Sequence, residues 1–470
     1  MHTASLDLQA EMQRLPGLPL TNTAEPLTLL QVVLSRLSLL GMQQGELRPR
    51  DIRSLRDEEG RAAPAALLER FRRLPAAEQG RLPALLNGLG KLQAAAGDFE
   101  GAKTTFSEVA RVATEPSARA EVRYNTFRVA LEQRKWDEAL AAVQEAAKLD
   151  PKRFAPFPLD RYAPQRILGA GGAGVAFLCK DASTGESVVV KALHVDDLER
   201  GADNIFREGK LLTQLAQPVL GGARDCGFAA PEEQARPYLV LEYFPGGTLQ
   251  QFVQQRGMLT PQQLVAVAVP IAQAMRVAHG HGLLHRDLRP ANVLVRKEGD
   301  RWRIKVIDFG LTLKRSLVDG MTARAAGEET LLSQSAADLV LYAAPEQLGR
   351  QPSVKSGSFS DVYAFGKLCC FALFGTTEPK RRQWSSIPEG LGELLDRCTE
   401  LGLEQRHLGF DPVLRILSVL AAAPGPAAPV VAQPPERPAP APPSAPSSAK
   451  EYQERAAAHL QKRDADKALA

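Results

Sequence analysis

Five charged or amide side chains stand in short, ordered strings of this 470-residue chain. His285-Arg-Asp-Leu-Arg-Pro-Ala-Asn-Val-Leu294 puts Asp287 and Asn292 five residues apart on one loop, with a strand after it. Val306-Ile-Asp-Phe-Gly310 is an apolar strand that delivers Asp308. Upstream, Leu168-Gly-Ala-Gly-Gly-Ala-Gly-Val-Ala-Phe177 spaces Gly169, Gly171 and Gly174 as GxGxxG. Strand-like residues follow from Val175 to Cys179, then a turn at Ser183-Thr-Gly185 and a second strand ending in Val190-Lys191. This strand–loop–strand context predicts a glycine flap folded over phosphates, whereas a dinucleotide site needs a strand-to-helix turn. Side chains in the flap would hold the backbone amides away from phosphate oxygens. Lys191 sits in a buried apolar strand and needs an anionic partner, because an unpaired buried charge is costly. Glu208, in the helical string Phe206-Arg-Glu-Gly-Lys-Leu-Leu, is the candidate. Taken singly, such a lysine and glutamate read as surface residues; the ordered set carries the weight.

Two further strings complete the set: Tyr342-Ala-Ala-Pro-Glu346 and Ser360-Asp-Val-Tyr-Ala-Phe-Gly366. With them, residues 160–420 resemble a eukaryotic-type protein kinase of the kind bacteria carry as serine/threonine kinases. The resemblance implies an α+β, two-lobed kinase fold, with ATP and Mg²⁺ as cofactors and proteins as substrates. It implies that Lys191 contacts the α- and β-phosphates and is held by Glu208. Asp308 and Asn292 would be the Mg²⁺ ligands, oxygen donors that suit this hard cation. Asp287 would accept or orient the substrate hydroxyl proton. A carboxylate is a weak base, but the hydroxyl loses its proton late in a loose transfer. Gly169, Ala170, Gly171, Gly172, Gly174 and Val175 would cover the nucleotide. Ala176 stands where the family usually has a valine over the adenine. Leu239-Val-Leu-Glu-Tyr-Phe244 resembles the hinge, with backbone from Glu242 to Phe244 on the adenine and Leu241 guarding the back of the pocket. Glu346 would pair with Arg406, and Asp361 would anchor the catalytic loop backbone.

Two positions depart from the family pattern. Arg289 replaces the lysine usual two residues after the catalytic aspartate, although Pro290 keeps the serine/threonine form. Asp338 and Leu339 replace a Gly-Thr pair whose threonine bonds the aspartate and the lysine. Arginine's planar fork differs from a point charge, and leucine makes no hydrogen bond. The alternative reading is therefore a pseudokinase scaffold that binds nucleotide and partner proteins without efficient transfer. A small-molecule phosphotransferase on the same fold is a third reading, opposed by Ala343-Ala-Pro-Glu346 and the long segment before it. Arg286 resembles the arginine that pairs with a phosphorylated activation-segment residue. Thr322, Thr330, Ser333 and Ser335 are the candidates, with Ser333 and Ser335 expected nearest the substrate loop.

Residues 1–155, rich in Ala, Leu, Gln, Glu and Arg, show helical spacing of apolar residues and read as an all-α domain. Ala102 in Gly97-Asp-Phe-Glu-Gly-Ala102 and Ala139 in Lys135-Trp-Asp-Glu-Ala139 are 37 residues apart. With Leu89-Gly90, Phe106 and Pro151, residues 82–155 resemble tetratricopeptide repeats, whose period is about 34 residues. Residues 421–449 read as a Pro/Ala-rich linker; ten prolines fall in 424–446. Residues 450–470 end in Asp466-Lys-Ala-Leu-Ala470, matching Asp137-Glu-Ala-Leu-Ala141. That incomplete unit is expected to be the start of a further repeat in a longer protein.

The composition excludes other classes. Lys plus Arg is 58 against Asp plus Glu at 54, a net charge of +4, too balanced for a nucleic-acid binder. Five cysteines without a CxxC pair argue against a disulfide framework or zinc site and for a reducing, cytoplasmic setting. No segment has the 18 or more apolar residues of a membrane span. The expected role is signalling by protein phosphorylation, with the repeats recruiting partner proteins.

Overall fold

The computed structural model describes residues 8–17, 22–40, 58–299, 301–322 and 330–422. The linker and terminal repeat expected from 421 onward lie outside the described residues, apart from 421–422. The chain forms two compact units. The first is Met1–His194 with Cys226–Val240 and Ala323–Ser335; the second is Val195–Asp225, Leu241–Thr322 and Ala336–Ala470.

The first unit opens with nine helices among its described residues: α1 (Leu8–Arg14), α2 (Ala24–Leu39), α3 (Glu58–Arg72), α4 (Ala76–Gln79), α5 (Pro83–Ala95), α6 (Phe99–Val112), α7 (Pro116–Glu132), α8 (Trp136–Leu149) and α9 (Pro151–Phe154). α5 packs on α6, and α7 packs on α8. Asp98 caps α6 by accepting the Gly101 amide at 2.9 Å. Ala102 and Ala139 are fully buried. A Cβ on Gly90 would lie 2.6 Å from the Phe106 ring, so this glycine lets α5 and α6 close on an aromatic.

Glu11 on α1 caps α5 from a distance in sequence. Its carboxylate accepts the Ala84 amide at 2.9 Å and the Leu85 amide at 2.7 Å while wholly buried. Burial raises its pKa to about 7 despite those amides and the nearby Arg14. A raised folded pKa binds the proton more tightly than the unfolded chain does. Its contribution to stability is therefore full below the unfolded value near 4.5 and is lost as pH rises through about 7. Denaturation of the full chain should show stability falling across that window. Glu11→Gln should flatten that fall.

Strands β1 (Tyr162–Gly171), β2 (Gly174–Asp181), β3 (Ser187–Leu193), β4 (Ala223–Ala230) and β5 (Ala235–Glu242) form a sheet ordered β1-β2-β3-β5-β4. β1, β2 and β3 are consecutive antiparallel neighbours. Within the first unit, α7 and α8 share a core with the sheet. Phe127, Leu131, Ala139 and Val143 cluster with Phe157, Tyr162, Phe177 and Val190. Arg236 adds a polar clasp, its guanidinium donating to the carbonyls of Ala155 at 2.9 Å and Arg153 at 3.0 Å.

The second unit holds α10 (Ala202–Gln214), β6 (Gly247–Thr248), α11 (Leu249–Arg256), α12 (Pro261–Gly280), β7 (Val293–Glu298), β8 (Arg301–Val306), α13 (Arg315–Thr322), most of α14 (Leu331–Tyr342), α15 (Ser358–Phe374), α16 (Arg381–Trp384), α17 (Glu389–Thr399) and α18 (Phe410–Ala422). Capping boxes at Thr248/Gln251 and Thr260/Gln263 start α11 and α12. Pro270 lies inside α12 and does not end it. The flanking Ala268, Ile271 and Ala272 are buried in the core, and that packing outweighs one lost helix bond. Among the described residues no helix is long and apolar enough to cross a membrane.

Candidate active site

The first unit carries the flap. It is the turn between β1 and β2, where Gly171 pairs with Gly174. Gly174 has φ +143°, and a Cβ there would meet the Ala192 carbonyl oxygen at 2.0 Å, so only glycine fits. The strand–loop–strand context read from the sequence is therefore observed. Lys191 lies on β3 opposite Ala176, is 8% exposed, and Val175 before it on β2 is buried. Ser335 was expected near the substrate loop. Instead its Oγ accepts the Gly172 amide at 2.9 Å, on the flap itself.

The second unit carries the loop with the two acidic groups. Asp361, at the start of α15, accepts the His285 and Arg286 amides, both at 2.8 Å, and meets His279 Nε2 at 2.9 Å. Burial would raise its pKa, but the bond and charge of His279 and the neighbouring His285 outweigh it, so the carboxyl lies below its usual value. This is the anchoring expected of Asp361. It holds Arg286 at φ +68°, and Asp308 stands at φ +67°; both are strained positions for non-glycine residues. His285 is fully buried, burial lowers its pKa, and its Nδ1 accepts the Asp287 amide at 3.4 Å. Its ring packs 4.4 Å from that of Phe309.

Asp287 uses its two oxygens differently. Oδ2 accepts Asn292 Nδ2 at 2.9 Å and Arg289 Nε at 3.2 Å. Oδ1 is buried with no hydrogen-bond partner among the described residues. Burial raises the carboxyl's pKa, and the charges of Arg289 and His285 with the Asn292 bond only partly offset this. An orphan buried acceptor on a polar loop is a place for an incoming donor. Asn292 spends its amide nitrogen on Asp287, at the main-chain oxygen (2.8 Å) and at Oδ2, which leaves its carbonyl oxygen for a cation. The Asn292 main-chain oxygen accepts the Ile307 amide at 2.9 Å, tying this loop to the residue before Asp308. Hard oxygen donors of this kind fit Mg²⁺.

Two contacts escaped sequence reading. Glu208 was paired with Lys191; within the second unit its carboxylate is engaged by Arg200. The same carboxylate would sit 2.7 Å from a Cβ on Gly310, which stands at φ +70°. Asp338, read only as a departure from Gly-Thr, holds Arg289: Nη1 donates to its Oδ2 at 2.5 Å. Leu339 makes no such bond, but the network it was expected to break is closed by its neighbour. The signal was present in the sequence as two departures of opposite charge in one small network. In a cycle of Arg289→Lys and Asp338→Ala, transfer rates should be non-additive by about 1–2 kcal/mol. Independent effects would contradict the pairing.

Glu242 pairs with Lys305 at 2.5 Å, and Phe244 is buried beside Gly246. Glu346 and Arg406 form the expected ion pair at 2.8 Å, both wholly buried.

Residues 162–406 match the model of the family described as the protein kinase domain. The chain is 33% identical over 229 residues to serine/threonine-protein kinase PknB of Mycobacterium leprae, covering 48% of this chain and 34% of that one. It is 32% identical over 223 residues to PknB of Mycolicibacterium smegmatis, covering 47% and 33%. The chain thus spans about a third of the length of the curated relatives it matches. Among solved structures it resembles the PknI kinase domain of Mycobacterium tuberculosis with a TM-score of 0.41 and 20% identity, covering 55% of this chain and 96% of that one.

Proposed function

Because this chain belongs to the protein kinase family, we propose that it transfers the γ-phosphoryl group of ATP to serine or threonine hydroxyls of protein substrates. The observation that carries this reading is the oxygen of Asp287 left without a partner while its twin is held by Asn292 and Arg289. A substrate hydroxyl donating to Oδ1 is thereby oriented, and its proton has an acceptor as the phosphoryl departs. Flap amides and Lys191 bind the phosphates, and Glu208 holds Lys191, as the family resemblance implies. Asn292 and Asp308 would hold Mg²⁺, which would supply neutralisation of the phosphate charge. Phosphoryl transfer needs positioning more than covalent help, and Asp361 supplies it by fixing the loop backbone.

Arg286 supports regulation by phosphorylation, since its Nε is buried without a partner among the described residues. The helical hairpins around Gly90, Phe106, Ala102 and Ala139 support tetratricopeptide-like recruitment of partner proteins. Five free cysteines, four of them buried, suit a reducing, cytoplasmic setting.

Phosphoamino-acid analysis after incubation with labelled Mg·ATP tests the specificity. Phosphoserine and phosphothreonine are expected, and phosphotyrosine as the main product would contradict it. Lys191→Met should abolish incorporation.

A further inference from the structure

The activation segment enters the first unit at residues 330–335 and meets it at four points. The Leu331 amide, at the start of α14, donates to Glu132 Oε2 at 2.8 Å; Glu132 is the last residue of α7. The Leu331 side chain is buried in the cluster that contains Phe127, Ala130 and Leu131 of the same helix. Arg134, in the turn after α7 at φ +55°, donates to Gln334. Ser335 Oγ accepts the Gly172 amide of the flap at 2.9 Å and donates to the Leu331 carbonyl at 2.8 Å. A Cβ on Gly171 would lie 3.1 Å from the same hydroxyl, so the bare glycine leaves room for the serine.

These contacts have a common consequence. A carboxylate at the first turn of a helix satisfies an orphan amide and favours that helix. Thr330 reinforces it by accepting the Ser333 amide at 3.2 Å. Docking on α7 therefore stabilises α14 in the position that delivers Ser335 to the flap. The Gly172 amide can serve a phosphate oxygen or Ser335, not both. Docking also hides the segment's own hydroxyls: Thr330 is 1% exposed and Ser333 is 9% exposed.

We propose that the end of α7, with the flap, is a docking surface of the helical domain whose occupant is this chain's own segment 330–335, and that docking excludes the nucleotide phosphates. This rests on the kinase reading for its meaning but not for its measurement. The helical domain then does more than recruit. A partner that covers Glu132 and Arg134 would release the segment, open the flap amides and expose Thr330 and Ser333.

The test uses the full chain and Mg·ATP, with affinity by calorimetry and amide exchange of the peptide holding 330–335 by mass spectrometry. Glu132→Ala/Arg134→Ala should bind Mg·ATP on the order of tenfold more tightly and exchange faster at 330–335. Ser335→Ala, which leaves α7 intact, should tighten binding without faster exchange at Leu331. Glu138→Ala, which removes a surface ion pair with Lys103 on α6 and α8, should change neither. Unchanged affinity in both the double variant and Ser335→Ala would overturn the proposal, as would unchanged exchange in the double variant. If the double variant unfolds, Ser335→Ala alone decides. Tighter binding with no transfer in any variant would sustain the docking and refute the kinase activity. Transfer by the wild type with no change of affinity would do the reverse.

Discussion

Asp287→Asn should lower the rate of phosphoryl transfer by about 10²–10⁴-fold while leaving Mg·ATP affinity near that of the intact protein. The substitution keeps the shape of the side chain and the room for its neighbours. It replaces one carboxylate oxygen by a nitrogen that donates where an acceptor is needed. In the intact chain the oxygen facing Asn292 and Arg289 already has two donors, and the other oxygen has none among the described residues. A substrate hydroxyl donates at that position only to an acceptor. The raised pKa of the Asp287 carboxyl, caused chiefly by burial, makes it a better base than a solvated aspartate. The sign follows: transfer should fall as pH drops far enough to protonate it, and Asp287→Asn should lose that acidic limb. Steady-state rates across pH, with nucleotide affinity measured separately, decide this. An unchanged rate in Asp287→Asn would remove Asp287 from the chemistry.

Arg406→Ala should destabilise the second unit by about 3–5 kcal/mol, the usual effect of breaking a buried ion pair from one side. Both side chains are wholly buried, so the glutamate left behind has no water to replace its partner. Arg406 does more than pair with Glu346. It donates to the main-chain oxygens of Glu400 at 2.7 Å and Leu401 at 3.0 Å, and stacks 5.0 Å from the Tyr363 ring centroid. Ser360 donates to the same Glu346 oxygen at 2.8 Å. The truncation thus takes a donor from three acceptors at once. Replacing both charges, Glu346→Gln with Arg406→Met, should cost less than Arg406→Ala because no charge is left unpaired. Urea denaturation read on the full chain measures the difference. Equal losses in the two variants would show that packing, not charge, holds this corner.

The strings proposed to hold the nucleotide stood out because their residues are neighbours in sequence. GxGxxG lies within one turn, and Asp287 and Asn292 lie on one loop. The Glu346–Arg406 pair, far apart in the chain, was legible only through the family's spacing. What could not be read were side-chain partners outside the motifs. Arg200, eight residues before Glu208, engages its carboxylate and belongs to none of the strings. The lost hydrogen bond was read at Leu339, and Asp338 was read only as the residue in place of glycine. The structure puts the acid on the arginine, and the two changes become one. Segment 330–335 was read as a row of modifiable hydroxyls. Its helix and its seat on α7 depend on Glu132 and Arg134, about 200 residues upstream. No local pattern encodes a contact at that separation.

Phosphoryl transfer is tested most directly by single-turnover incorporation from γ-labelled ATP, with Mg²⁺, into the intact protein and into a generic basic protein. Incorporation on serine and threonine is expected, and it should disappear in Asp287→Asn and Lys191→Met. An intact protein that binds Mg·ATP but incorporates no label would contradict it and make the domain a nucleotide-binding scaffold.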